Sequence, residues 1–239
     1  MHDRDRLFQR RGRTPRRRNS YGAALNRREG ADCQHGQSAP NPIARKHKSI
    51  TPKLSIFARL PVPGKVKTRL IPALGEEGAA RLYARLLAMT VEAARESDVD
   101  FELRVTGGAP ELFKRIYGKD VSVCEQGEGD LGERMARVEA PALIIGSDCP
   151  AMSPELLNAA AGALDDRDVV LGPATDGGYY LIGFNRAVPF LFEDMEWSTP
   201  KVFTETLSRL ADRRIGPAIL PELADIDTGE DLARWPELQ

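Results

Sequence analysis

From Leu54 to Phe184 the chain keeps returning to one unit. Short apolar runs (LSIFA, FELRVTG, VSVCEQ, ALIIG, DVVLGP, YYLIGF) are separated mostly by stretches whose apolar residues fall three and four apart. Short apolar runs bounded by Gly and Pro read as strands, and the three-and-four spacing reads as helices. Ala79, Leu82, Leu86, Met89 and Ala93 mark such a helix over 76–96. Further helices are predicted over 111–117, at LGERMARV, and from Pro154 to about Leu164 with Ser153 as cap. In EWSTPKVF a strand end should pass into a helix capped by Ser198 or Thr199, with Pro200 just inside. AILPELADID should form a last strand. Thr228 and Asp231 then have capping-box spacing, with Asp in the usual place of Glu. Strands alternating with helices predict an α/β layer on a largely parallel sheet.

Charge divides the chain in two. Residues 1–50 hold 13 Lys and Arg against 4 Asp and Glu, a net of +9, while 51–239 hold 21 against 31, a net of −10. The first 51 residues, with RDRLFQRRGRTPRRR, are expected to be a disordered basic tail outside the fold. The acidic remainder, 52–239, is expected to be one domain. It lacks the basic stripe that nucleic-acid backbones require, so no nucleic-acid substrate is expected for it. No apolar run approaches the ~20 residues of a membrane span and the N-terminal stretch has no apolar signal core, so neither is expected.

Composition also excludes chemistries. Cys33, Cys124 and Cys149 show no C-x-x-C pair or finger spacing, which suits a reducing cytoplasm and argues against structural zinc. His2, His35 and His47 all lie in the basic segment, so the body has no histidine for a Ser-His or Cys-His pair. Cys149 therefore reads as a small packing residue. What remains is carboxylates, Lys, Arg, backbone dipoles or a hard metal.

In open α/β sheets ligands sit outside the carboxyl ends of the strands. Three aspartate-bearing segments should end there: GSDCP with Asp148, ATDGGYY with Asp176, and LADIDT with Asp225 and Asp227. Each alone reads equally as a cap or turn, but carboxylates gathered at one mouth need a cation, and Mg²⁺ or Mn²⁺ suits them. The loop PVPGKVKTRL adds Gly64 and three cations within five residues, Lys65, Lys67 and Arg69, as phosphate chemistry wants. Its Gly-Lys pair lacks Walker A spacing. In DGGYY, Gly177 and Gly178 admit a close ligand and Tyr179 offers a stacking face or hydroxyl; the competing reading is a hairpin turn with a core tyrosine. Trp197 reads as a ligand platform or as a core aromatic. GEGDLG at 127–132 fits a dinucleotide fingerprint, but it lies deep in the chain and Pro141 leaves little room for a crossover helix.

In this order, FARLPVPGKVKTRL, QGEGDLGERM, IGSDCP, LGPATDGGYYLIG, EWST and DIDTGEDL resemble the radical-SAM/selenodomain-associated transferase 1 family. That family belongs with the nucleotide-diphospho-sugar transferases of GT-A fold. KVKTRL is similar to phospholactate guanylyltransferases, and DIDT-x-EDL to molybdenum-cofactor nucleotidyltransferases. The resemblance implies a single Rossmann-like GT-A domain with a mostly parallel mixed sheet. It implies Lys67 and Arg69 on phosphate, Asp148 on Mg²⁺ or Mn²⁺, Asp227 as a second metal carboxylate with Asp225 competing for that place, and Asp176, Gly177 and Gly178 on the substrate side. Arg59 stands where the family often has Lys. The implied partners are a nucleotide or nucleotide-sugar and a small acceptor. The implied reaction is nucleotidyl transfer from an NTP, with glycosyl transfer or non-catalytic nucleotide binding as alternatives.

Overall fold

The computed structural model describes residues 51–239; the expected basic tail, apart from Thr51, lies outside the described residues. Seven strands form one sheet in the order β3-β2-β1-β4-β6-β5-β7. They are β1 (Lys53–Arg59), β2 (Phe101–Thr106), β3 (Ser122–Glu125), β4 (Ala142–Ile145), β5 (Val169–Pro173), β6 (Tyr179–Phe184) and β7 (Ala218–Ile219). β1 pairs parallel with β2 and β4, β2 with β3, and β5 with β7, whereas β6 runs antiparallel between β4 and β5. This is the expected mostly parallel mixed sheet of a Rossmann-like GT-A architecture. Because β6 is antiparallel to both neighbours, β5 points the same way as β4, and the ends of β1, β4, β5 and β7 share one edge.

Helices cover both faces. α1 (Ile71–Glu96), α2 (Pro110–Tyr117) and α4 (Pro154–Asp166) pack on the face carrying Leu54, Ile56, Leu103, Leu143 and Ile145. The short α3 (Leu131–Ala136) and α5 (Val202–Asp212) contribute Met135 and Leu210 to the other face, against Ile144, Leu171, Ile182 and Phe184. All four residues of β4 are buried, as expected of a strand covered on both faces. α1 is interrupted at Gly75 (φ 70, ψ 170), so its long regular part starts at the predicted Glu76. A third cluster joins Leu70, Leu82 and Leu86 to Ile226, Leu232 and Leu238, which brings the C-terminal segment with α6 (Gly229–Leu232) onto the outer side of α1. That packing carries the DIDT segment to the basic loop.

Local rules explain most element boundaries. Ser153 accepts from the Leu156 amide and Pro154 opens α4. The predicted Thr228–Asp231 box forms in full at α6. In GEGDLG, Asp130 is consumed in a capping box with Glu133 at the start of α3.

Two expectations are corrected. EWST contains no strand end, and α5 begins at Val202 without a side-chain cap; the Thr199 hydroxyl donates instead to the Glu196 carbonyl. AILPELADID forms only the two-residue β7 and a bridge from Leu223 to Ala174, because Pro221 lacks an N–H and breaks the ladder. No helix among the described residues is long and apolar enough to cross a membrane.

Candidate functional site

The loop after β1 turns at Gly64 (φ 73) and is pinned by buried Val66 and Leu70. Between those anchors Lys67 adopts left-handed geometry (φ 45, ψ 46) ahead of a 3-10 turn over Thr68–Leu70. The strained backbone aims its side chain inward: the side chain is 5% exposed, with Nζ 2.9 Å from Asp148 Oδ2 and 2.6 Å from Asp227 Oδ1. Arg69 lies 3.5 Å from the other oxygen of Asp227. Burial, the largest influence, works to lower the Lys67 pKa, but Asp148 and Asp227 together outweigh it and leave it raised. The ammonium therefore stays charged.

The two carboxylates come from distant parts of the chain. Asp148 follows β4, and Oδ1 accepts from the Ser147 amide. Asp227 is brought beside it by Ile226, which is fully buried and whose amide donates to the Asp148 carbonyl at 3.1 Å. Around these acids lies a cleft of about 280 Å³ lined by Arg59, Lys65, Lys67, Arg69, Tyr83 and Asp148, with Val66, Thr68 and Asp227 completing the wall. Four cations against two carboxylates leave a formal excess of two positive charges.

The floor is a chain of hydrogen bonds. The Arg59 amide donates to Tyr83 Oη at 2.9 Å, Tyr83 Oη lies 2.9 Å from Ser147 Oγ, and Ser147 Oγ is 3.4 Å from the Phe57 carbonyl. With Ser147 donating to Phe57, the tyrosine hydroxyl donates to Ser147. Tyr83 and Ser147 are both buried, so α1 clamps the end of β1 to the residue before Asp148.

Lys65, Lys67, Arg69, Asp148 and Asp227 thus meet in one cleft, with Gly64 at the turn leading into it. The remaining sequence candidates do not line it. Asp176 closes its own turn by accepting from the Gly178 amide at 2.8 Å. Gly177 (φ 89) is where the backbone of Pro200 crosses: a Cβ there would sit 2.6 Å from the Pro200 Cα. Its carbonyl also accepts from the Phe203 amide. Gly177 therefore already has a structural explanation. Tyr179 and Trp197 meet edge to face and both pack against the second core cluster, and burial raises the Tyr179 pKa. Asp225 lies outside the lining; burial first, then Asp176 and Asp227, push its pKa up to about 6. Cys149 is buried with its thiol pushed up to about 11 by burial, as a packing residue should be.

Sequence reasoning did not name Arg59, Thr68 or Tyr83 as site residues. Tyr83 sits beside Leu82 on the helix period, where it reads as core, and only the register of α1 against β1 reveals its hydroxyl.

Does this donor set fit a divalent metal? Among the described residues no group of three or more His, Cys, Asp or Glu forms a metal cage. Asp148 and Asp227 nevertheless already share a cation and face an open cleft. One or two carboxylates completed by substrate phosphates is how Mg²⁺ is commonly held, so the residues fit an ion completed by its ligand.

Comparison with known proteins agrees with this architecture. A crystal structure from Desulfovibrio desulfuricans G20, described as a "putative nucleotide-diphospho-sugar transferase", is 32% identical and superposes with a TM-score of 0.70 over 75% of this chain and 84% of that one. The chain belongs to that family. Membership carries a transferase-type activity in general terms. Residues 89–199 also match the family described as "Uncharacterized protein conserved in bacteria (DUF2064)". The fold is further shared with 4-diphosphocytidyl-2C-methyl-D-erythritolsynthase from Anaerococcus prevotii DSM 20548, at 12% identity, TM-score 0.51, and coverage of 77% of this chain and 94% of that one. Rv0371C of Mycobacterium tuberculosis H37Rv, solved in complex with manganese, is 20% identical, with TM-score 0.47 over 78% of this chain and 99% of that one. No curated protein matches the sequence.

Proposed function

We propose that this family member is a nucleotidyltransferase that moves the nucleotidyl group of an NTP onto a small phosphorylated or hydroxyl acceptor. One observation carries the reading: four cations and two carboxylates, supplied by β1, the loop after it, the end of β4 and the C-terminal segment, meet in a single cleft. A volume of about 280 Å³ is below the roughly 300–1,000 Å³ of pockets that enclose whole drug-sized ligands. The cleft suits the polyphosphate end of a nucleotide, with base and acceptor lying outside it. The order of its motifs supports placement with the radical-SAM/selenodomain-associated transferases.

In this mechanism Lys65, Lys67, Arg69 and Arg59 hold the triphosphate, Arg through a planar fork and Lys as a point charge. Asp148 and Asp227 are the residues that would hold Mg²⁺ or Mn²⁺, which when bound neutralises phosphate charge. An acceptor oxygen attacks the α-phosphorus, the bond to the bridging α–β oxygen breaks, and pyrophosphate leaves with the electron pair, stabilised by the same cations. A phosphorylated acceptor is already an anion and needs no general base, which fits a body without histidine; a hydroxyl acceptor would pass its proton through water to the departing pyrophosphate. Positioning and electrostatics supply the rate. Asp176, Gly177, Gly178, Tyr179 and Trp197 have no part in gripping phosphate here; a substrate-side role for them would have to lie beyond the cleft.

The name of the Desulfovibrio relative favours a second reading, transfer from a nucleotide-sugar with a nucleoside diphosphate as leaving group. Product analysis over a panel of NTPs, nucleotide-sugars and acceptors separates them. Pyrophosphate release from an NTP supports nucleotidyl transfer, and nucleoside diphosphate release from a sugar donor overturns it in favour of glycosyl transfer.

A further inference from the structure

The Lys67 ammonium stands between the two carboxylates that would hold a divalent ion, 2.9 Å from Asp148 Oδ2 and 2.6 Å from Asp227 Oδ1. Its side chain is 5% exposed, whereas those of Asp148 and Asp227 are 41% and 36% exposed. The acids therefore face the cleft and the ammonium is their buried partner. We infer that Lys67 is the resident counter-ion of Asp148 and Asp227 in the ligand-free protein, so that the site takes a divalent cation only as its complex with a polyphosphate, whose oxygens draw the ammonium away. For the identity of that ligand the inference rests on the polyphosphate reading above; the counter-ion role rests on geometry alone.

Three features support it. An ammonium has three N–H donors and no acceptor. Two point at Asp148 and Asp227, leaving one for a phosphate oxygen, so the first contact with the incoming ligand needs no bond broken. The backbone at Lys67 is held on either side by buried Val66 and Leu70. The head group can therefore leave by rotation of its flexible stem, with the loop in place. Charge is the third feature. The cleft carries a formal excess of two positive charges, and a bare divalent ion would add to it with no phosphate oxygens to draw the ammonium aside. A nucleoside triphosphate already carrying one divalent ion bears roughly two negative charges, and the inorganic tripolyphosphate complex roughly three, so either suits a cleft of this sign.

Binding of Mn²⁺ alone, inorganic tripolyphosphate alone, and the preformed Mn²⁺–tripolyphosphate complex to the full chain, by calorimetry with electron paramagnetic resonance of Mn²⁺, tests this. Wild type should bind the complex at least tenfold tighter than Mn²⁺ alone. Lys67→Met should bind Mn²⁺ alone at least tenfold tighter than wild type, while Lys67→Arg, which keeps a cation, should stay near wild type. Should Lys67→Met fail to fold, Lys67→Gln is read the same way. Equal Mn²⁺ affinity in wild type and the neutral variants would overturn the counter-ion role. A gain in Mn²⁺ affinity without any tripolyphosphate binding to wild type would uphold that role and overturn the polyphosphate reading.

Discussion

Replacing Tyr83 by Phe removes one oxygen from the floor of the cleft and leaves the ring packed in the core. The hydroxyl makes two contacts, accepting from the Arg59 amide and bonding Ser147 Oγ, both at 2.9 Å. Each such bond is worth a net of about 0.5–1.5 kcal/mol, and the orphaned Arg59 amide adds a desolvation cost wherever water does not reach it. Ser147 keeps its long contact to Phe57, which limits the damage on that side. The expected loss is about 2 kcal/mol, or a fall in Tm of roughly 4–8 °C for a domain of this size. Thermal melts of wild type, Tyr83→Phe, Ser147→Ala and the double variant form a cycle. Since both single variants break the same bond, their effects should fall short of additive by about 1 kcal/mol. Mn²⁺–tripolyphosphate binding should weaken in parallel, because Asp148 follows Ser147 directly. A loss below about 0.5 kcal/mol with full additivity would refute the clamp.

Other outcomes follow from the same structure. Gly177→Ala places a methyl against the Pro200 backbone in a left-handed conformation and should lower stability by about 3 kcal/mol, as read by urea melts. Glu102 is buried and accepts from Lys53, Arg104 and Ser55. Burial works to raise its pKa, but these partners outweigh it and leave it lowered. It therefore stabilises the fold above its ordinary value of 4.5, and that contribution is lost as pH falls through the lowered value. Glu102→Gln should accordingly cost about 2 kcal/mol at roughly pH 7, and the cost should shrink steadily as pH falls below the ordinary carboxylate range. Asp225 behaves oppositely: its pKa is raised from 3.8 to about 6, so the protonated form favours folding and that advantage is lost as pH rises through this range. Asp225→Asn should melt a few degrees above wild type near pH 8 and level with it near pH 4, the gain being about 1 kcal/mol after allowance for its partial exposure.

Much of this architecture was legible because periodicity and caps act locally. The α1 stripe, the Ser153 cap and the Thr228–Asp231 box each depend on neighbours within a few residues. The start of α5 was misread because Ser198, Thr199 and Pro200 look like a cap in isolation. In the fold, Pro200 packs across Gly177, the loop takes a left-handed turn at Ser198 (φ 62), and the helix begins later. The site was partly legible for a similar reason. A basic bend after the first strand and an acid after a buried strand are visible in one dimension. The pairing of Lys67 with Asp227, 160 positions away, depends on packing of the C-terminal segment against α1. Tyr83 lay hidden because its ring belongs to the core and only its hydroxyl reaches the cleft.

The claim on which the account turns is that the basic bend and the two acids form one cation-dependent polyphosphate site. Calorimetric titration of NTPs into wild type and Asp148→Asn, each with and without Mg²⁺, tests it most directly. Binding in wild type should need the cation and weaken at least thirtyfold in Asp148→Asn, about 2 kcal/mol. Cation-dependent binding of unchanged strength in Asp148→Asn would contradict it.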